Sequence, residues 1–181
     1  MNKPIDISGV CLKTERLVLR PWREADLDDL YEYARVDGVG QMAGWASHKN
    51  IEESKKILDS FIRHKKTFAI VLDGKIIGSV GVEEYNAKDF PELASLQGRE
   101  IGYVLSKDHW GKGLMPEAVK GVIRYLFTQE ELDFVTAGHF TWNHQSARVI
   151  EKCGFRYMKD TQFRTQMGTE ECCRAYVLFN R

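Results

Sequence analysis

Apolar and polar residues change period several times along the chain, and each change marks an element. Leu17-Val18-Leu19-Arg20-Pro21 reads as a short strand, ended by a proline that cannot donate to a ladder. Leu27, Leu30, Tyr31 and Ala34 then recur at the i, i+3, i+4, i+7 spacing of one helix face. A second helix follows the polar start at Asn50, with Ile51, Leu58, Phe61 and Ile62 as its stripe. Between these helices lies a glycine-containing loop that carries Met42 and Trp45. Phe68 to Leu72 and Lys75 to Val82 flank Asp73-Gly74, a pair suited to the positive φ angles of a tight hairpin turn.

Beyond the hairpin, the polar stretch Asn86 to Arg99 leads to a strand from Glu100 to Leu105. A glycine loop, a helix from about Met115 to Phe127 and a strand from Phe134 to Phe140 follow. The last helix, from about Gln145 to Cys153, ends at Gly154, a plausible left-handed cap. Strands near Phe155 to Met158 and Ala175 to Phe179 finish the chain. The order β, α, α, β, β, β, α, β, α, β, β predicts an α/β mixed sheet of about seven strands with helices on both faces. A single domain over residues 1–181 is expected at this length.

Composition narrows the partners. The chain is 43% hydrophobic and 29% charged, which supports a folded core. Lys plus Arg and Asp plus Glu are both 26, so the formal net charge is zero. A nucleic-acid sleeve or a polybasic membrane anchor needs a cation surplus, so neither partner is expected. The start lacks an apolar run of signal-peptide length, and four scattered cysteines suit a reducing compartment; the protein reads as cytoplasmic. Cys172 and Cys173 are adjacent, so in a strand they point to opposite faces, and no metal site is expected.

The most informative stretch runs from Gly102 to Ala118, where a strand feeds a glycine loop and the loop feeds a helix. Helix N-termini offer unpaired N–H groups and a positive dipole end, which suit an anion. Gly111 and Gly113 let the backbone approach a ligand, and Lys107 and Lys112 add positive charge. The Walker A spacing is absent, and Pro116 stands where a dinucleotide fingerprint needs its third glycine.

Three segments in register carry a resemblance. Trp110-Gly111-Lys112-Gly113-Leu114-Met115-Pro116-Glu117-Ala118 after Gly102-Tyr103-Val104-Leu105-Ser106 resembles the acetyl-CoA motif of the GCN5-related N-acetyltransferases. It looks most like the branch containing the ribosomal-protein N-terminal acetyltransferases. Asn143 to Ser146, within a helix that closes in Gly154-Phe155, resembles the Asn-x-x-Ser helix of that branch, and Thr14 to Pro21 its first strand. Two positions depart from the broader superfamily pattern: Trp110 stands where Gln or Arg is usual, and Met115 replaces a small residue. The resemblance implies a mostly antiparallel twisted sheet flanked by four helices, acetyl-CoA as donor and a direct ternary-complex mechanism. It implies that the backbone of Trp110, Gly111, Lys112, Gly113, Leu114 and Met115 holds the pyrophosphate. Val104 and Leu105 would run beside the pantetheine arm, with a main-chain N–H polarising the thioester.

Acetyl transfer to an amine also needs a base and an acid. Glu100 is the candidate base, acting directly or through water; its bland alternative is a strand-end carboxylate paired with Arg99. Ser146 is the first candidate acid for the leaving thiolate and a ligand of the donor, and Tyr157 is the second. Ser146 would otherwise merely cap its helix. Asn143 suits the pantetheine amides. The acidic cluster Asp26, Asp28, Asp29 and Glu32 reads as a solvated helix face. The expected acceptor is a primary amine: a peptide N-terminus first, then a polyamine or aminoglycoside-like small molecule. A catalytically silent CoA-binding regulatory module is the rival reading, and the protein would be a monomer or a homodimer.

Overall fold

In the strand Thr67–Leu72, Phe68 and Ile70 join one apolar cluster while Ala69 and Val71 join another. That period of two sets a layer on each face of the sheet. The computed structural model describes residues 1–180. In chain order its strands are β1 (Leu12–Lys13), β2 (Val18–Pro21), β3 (Thr67–Leu72), β4 (Lys75–Glu83), β5 (Gly98–Leu105), β6 (Phe134–Phe140), β7 (Arg156–Arg164) and β8 (Glu170–Phe179). Four helices accompany them: α1 (Leu27–Ala34), α2 (Ile51–His64), α3 (Leu114–Thr128) and α4 (His144–Lys152). The strands form one sheet in the order β1-β2-β3-β4-β5-β6-β8-β7. Every neighbouring pair is antiparallel except β5 with β6.

Against one face, α3 packs Ala118, Val119, Val122 and Leu126 over Leu19, Phe68, Ile70 and Ile101. Burying a residue such as Phe68 completely contributes on the order of 1.5–3 kcal/mol. On the other face, Leu30 and Tyr33 of α1 and Leu58 of α2 meet Ala69 and Ile76. Asn50 caps α2 by accepting from the Glu53 N–H, and Gly154 takes a φ of 84° after α4. Asp73 and Gly74, at φ 50° and 83°, make the hairpin turn that their sequence demands.

Three expectations change. The sheet has eight strands rather than about seven, because the two-residue β1 pairs with β2 and is too short to leave a pattern. The segment after β4 is not merely a polar spacer. Tyr85, Phe90 and Leu93 bury themselves against Phe134, Ala175 and Val177 and close the end of the sheet. Three of the four acidic residues in and just before α1 are not simply solvated either. Asp26 is buried in a two-bond pair with Arg20, Asp29 accepts from the Ile76 N–H, and Glu32 pairs with Lys75. They fasten α1 to the sheet. No helix among the described residues is long and apolar enough to cross a membrane.

Candidate active site

Strands β5 and β6 pair in parallel over only Gly98–Phe134, Arg99–Val135 and Glu100–Thr136. Beyond them β5 continues to Leu105 along β4, and β6 continues to Phe140 along β8, with no ladder joining the two. The sheet therefore splits, and backbone groups on the inner edges of the split are available to a ligand. The glycine loop lies at the mouth. Gly111 and Gly113 sit at φ 76° and 74°, a region that side chains with a Cβ rarely enter. They curl the chain into the N-terminus of α3, whose first-turn N–H groups point outward without helical partners.

Trp110 explains the departure from the superfamily pattern. Its indole Nε1 donates to the Leu105 carbonyl at 2.8 Å and so ties the loop to the end of β5. A second brace comes from the opening motif. The Glu117 carboxylate accepts from Thr14 Oγ1 at 2.6 Å, from the Arg16 N–H at 2.8 Å and from Arg16 Nε at 2.7 Å. Arg16 also donates to the Lys112 carbonyl at 3.0 Å. Burial would raise the Glu117 carboxyl, but these hydrogen bonds outweigh it and hold it below its ordinary range. Three segments distant in sequence thus set the loop.

Two cavities open from the split. One, of about 270 Å³, is lined by Val104, Leu105, Trp110, Gly111, Gly113, Leu114, Met115, Asn143 and Ser146 among others. Lys112 does not line it, although its carbonyl receives Arg16. Leu114 and Met115 bury their side chains in the core, so only their backbone can serve a ligand. His109 also lines this cavity, with a buried Nδ1 that has no hydrogen-bond partner. The second cavity, of about 430 Å³, is lined by Glu100, Gly102, Thr136, Gly138 and the segment Glu84–Phe90, with Phe140 and Phe163 farther along. Met42, Tyr103 and Ser146 line both, so the two spaces meet at these residues.

Glu100, Gly102 and Val104 share one face of β5, while Ile101 and Leu105 lie in the α3 core. Glu100 stands between Glu83 on β4 and Thr136 on β6. Its carboxylate makes no hydrogen bond or ion pair among the described residues; Arg99 turns instead to Glu84 at 3.7 Å and to the Lys3 carbonyl. Burial, reinforced by the nearby Glu83 and Asp89 carboxylates, pushes the Glu100 carboxyl up to about 7. Gly102 leaves room beside it, since a Cβ there would meet nothing within 4 Å.

Ser146 sits one turn into α4. Its N–H donates to Asn143 Oδ1 at 3.0 Å, so Asn143 caps the helix, and Asn143 Nδ2 donates to the Met42 carbonyl at 3.1 Å. The Asn143 amide is thus engaged by the protein at both ends. Ser146 itself is not the cap, and its hydroxyl is free of that duty. Instead it lies 2.8 Å from the Tyr103 hydroxyl, whose ionisation burial pushes well upward. Tyr157 is 56% exposed, bonds Asp160 and lines neither cavity. The phenol beside Ser146 is therefore Tyr103. Sequence alternation placed it on the face away from Glu100, and the split in the sheet brings both to one space.

A split sheet with a helix N-terminus at its mouth has the shape and the unpaired N–H groups to take a ligand with an anionic handle. The family model described as "Acetyltransferase (GNAT) domain" matches residues 16–156, and the chain belongs to that family. The N-acetyltransferase YoaA of Bacillus subtilis (strain 168) is 29% identical over 152 residues, covering 80% of this chain and 82% of that protein. A GNAT-family acetyltransferase from Bacillus anthracis superposes with a TM-score of 0.82 at 21% identity, over 94% of this chain and 99% of that one. A ribosomal-protein-S5-alanine acetyltransferase from Vibrio fischeri gives 0.73 at 23% identity, over 95% and 97%. The microcin C7 self-immunity acetyltransferase MccE, in complex with acetyl-CoA and AMP, gives 0.73 at 17%, over 91% and 93%. These structural likenesses show the fold, and the family match makes the chain an acetyltransferase that uses acetyl-CoA.

Proposed function

We propose that the protein moves the acetyl group of acetyl-CoA directly to a primary amine, and that a peptide N-terminus is the first acceptor class to test. The observation that carries this reading is the meeting of two cavities at Met42, Tyr103 and Ser146, with Glu100 in the second. The glycine loop and the first turn of α3 would hold the donor's pyrophosphate, and the open edge of β5 at Val104 and Leu105 would bind its arm. The amine enters past Gly102. Glu100 takes one proton from the bound ammonium, directly or through a water; the neutral nitrogen then attacks the thioester carbon and gives up its second proton to water as the amide forms. As the C–S bond breaks, the sulfur takes the Ser146 hydroxyl proton, which solvent in the second cavity replaces. Tyr103 keeps its own proton and orients that hydroxyl. The Vibrio fischeri neighbour, a ribosomal-protein-S5-alanine acetyltransferase, supports beginning with peptides, and four unpaired cysteines fit a cytoplasmic setting.

The test is release of CoA together with acetylated product, measured by mass across peptides with free N-termini and small amines. No turnover with any amine, despite acetyl-CoA binding, would overturn the acceptor assignment. Two variants probe the acid. Ser146→Ala is expected to lower kcat roughly 10²-fold with little change in the KM for acetyl-CoA. Tyr103→Phe removes one hydrogen bond to the hydroxyl and is expected to cost about tenfold in kcat. Gly102→Val narrows the amine's path: its KM should rise about tenfold, corresponding to about 1.4 kcal/mol, while acetyl-CoA affinity stays within twofold.

A further inference from the structure

The second cavity carries more negative charge than proton abstraction requires. Glu100 and Thr136 lie side by side across the last pair of the parallel ladder, on the face that opens into the cavity. Thr136 is 1% exposed, yet its Oγ1 has no hydrogen-bond partner. A buried hydroxyl left unpaired on a cavity wall points to a polar ligand. Farther out, the segment Glu84–Phe90 supplies Glu84, Asn86 and Asp89 to the same wall. Glu84 lies 3.7 Å from Arg99, but the Asp89 carboxylate has no cation within ion-pair distance among the described residues and accepts only from Asn86 Nδ2, at 2.8 Å. Lys159 reaches the Asp89 main-chain carbonyl and pairs with Glu92 instead. The one arginine on the cavity wall, Arg164, is five residues along β7 from Lys159, about 16 Å at the rise of a strand.

We propose that this cavity selects acceptors carrying two cationic groups: the reacting ammonium between Glu100 and Thr136, and a second cation at Asp89 and Glu84. The inference rests on the amine-acceptor reading and adds the class of amine. The chemistry could come from a peptide whose second residue is basic or from a small alkyldiamine. Either ligand would bring to the Asp89 carboxylate an ion-pair partner that it lacks among the described residues, in a half-buried place where water screens the pair incompletely.

The experiment compares kcat/KM within two matched pairs on the full chain: peptides with lysine against glutamine at the second position, and diaminobutane against butylamine. The dication should be preferred about fivefold or more, beyond the statistical factor of two in the diamine. Asp89→Asn, which preserves shape, should reduce that preference several-fold, and added salt should erode it in the unaltered protein. A preference confined to one arm identifies the source of the acceptor. Equal kcat/KM within both pairs, or a preference that Asp89→Asn leaves intact, would overturn the proposal while leaving the acetyltransferase reading in place. No turnover with either pair would overturn both.

Discussion

Replacing Glu100 by Gln is expected to lower kcat by roughly 10²-fold or more, because a positioned base is worth about that much when the amine must lose a proton. The variant keeps the shape of the side chain and should bind acetyl-CoA as the unaltered protein does, since Glu100 lines only the second cavity. The pH profile carries the sharper signature. Burial and the neighbouring Glu83 and Asp89 hold the carboxyl near 7, so activity should rise as pH passes through about 7 and Glu100 ionises. In Glu100→Gln that limb should vanish, while any limb belonging to the acceptor's own ammonium remains. Stability should move the other way. The folded-state value lies above the ordinary glutamate value of 4.5, so the protonated carboxyl favours folding, and that advantage is lost as pH rises through about 7. At pH 8 the variant should therefore resist unfolding better, by about 1–2 kcal/mol once the solvent still reaching the site is allowed for. A lower kcat with higher stability separates a functional carboxylate from a structural one; unchanged kcat would remove Glu100 from the mechanism.

The sequence was most legible where a local rule fixes structure. The alternation in β3, the turn at Asp73-Gly74 and the cap at Gly154 appear where their chemistry requires them. The glycine loop was readable for the same reason, since Gly111 and Gly113 both take positive φ. What could not be read depends on pairings between different elements, whether near or far in the chain. Asp26 looked like part of a solvated face because nothing local reveals Arg20 as its partner. Arg16 and Glu117 lie in two of the segments that carry the resemblance, without a visible reason, and only the fold shows them bracing one loop across 101 positions. Tyr103 was hidden by a rule that is correct. Its side chain does lie on the face away from Glu100, but the early end of the β5–β6 ladder opens a passage between the faces. Ladder length is not encoded in strand period. Asn143 shows the converse: its amide caps α4 through the Ser146 N–H and donates to the Met42 carbonyl, contacts that its place in the motif does not reveal.

Gly113→Val is expected to weaken acetyl-CoA binding by about 100-fold or more in a calorimetric titration, with the overall fold retained. The glycine holds a φ of 74°, where a β-branched residue costs on the order of 1–3 kcal/mol. The loop can relieve that strain only by turning, and turning redirects the N–H groups at the start of α3. A Cβ at this position would lie 3.6 Å from Arg16 Nη2, an ordinary contact, so the penalty comes from the backbone angle rather than from crowding. The core beneath is formed by Leu114, Met115 and Ala118, whose packing begins one residue later, so the helix itself should survive. Far-ultraviolet circular dichroism and the cooperativity of melting check that condition. Set beside Glu100→Gln, the variant divides the site in two: one should lose the donor and keep the base, the other should keep the donor and lose the base. If Gly113→Val binds acetyl-CoA as tightly as the unaltered chain, the anion does not sit at this helix N-terminus, and the donor must enter the split sheet another way.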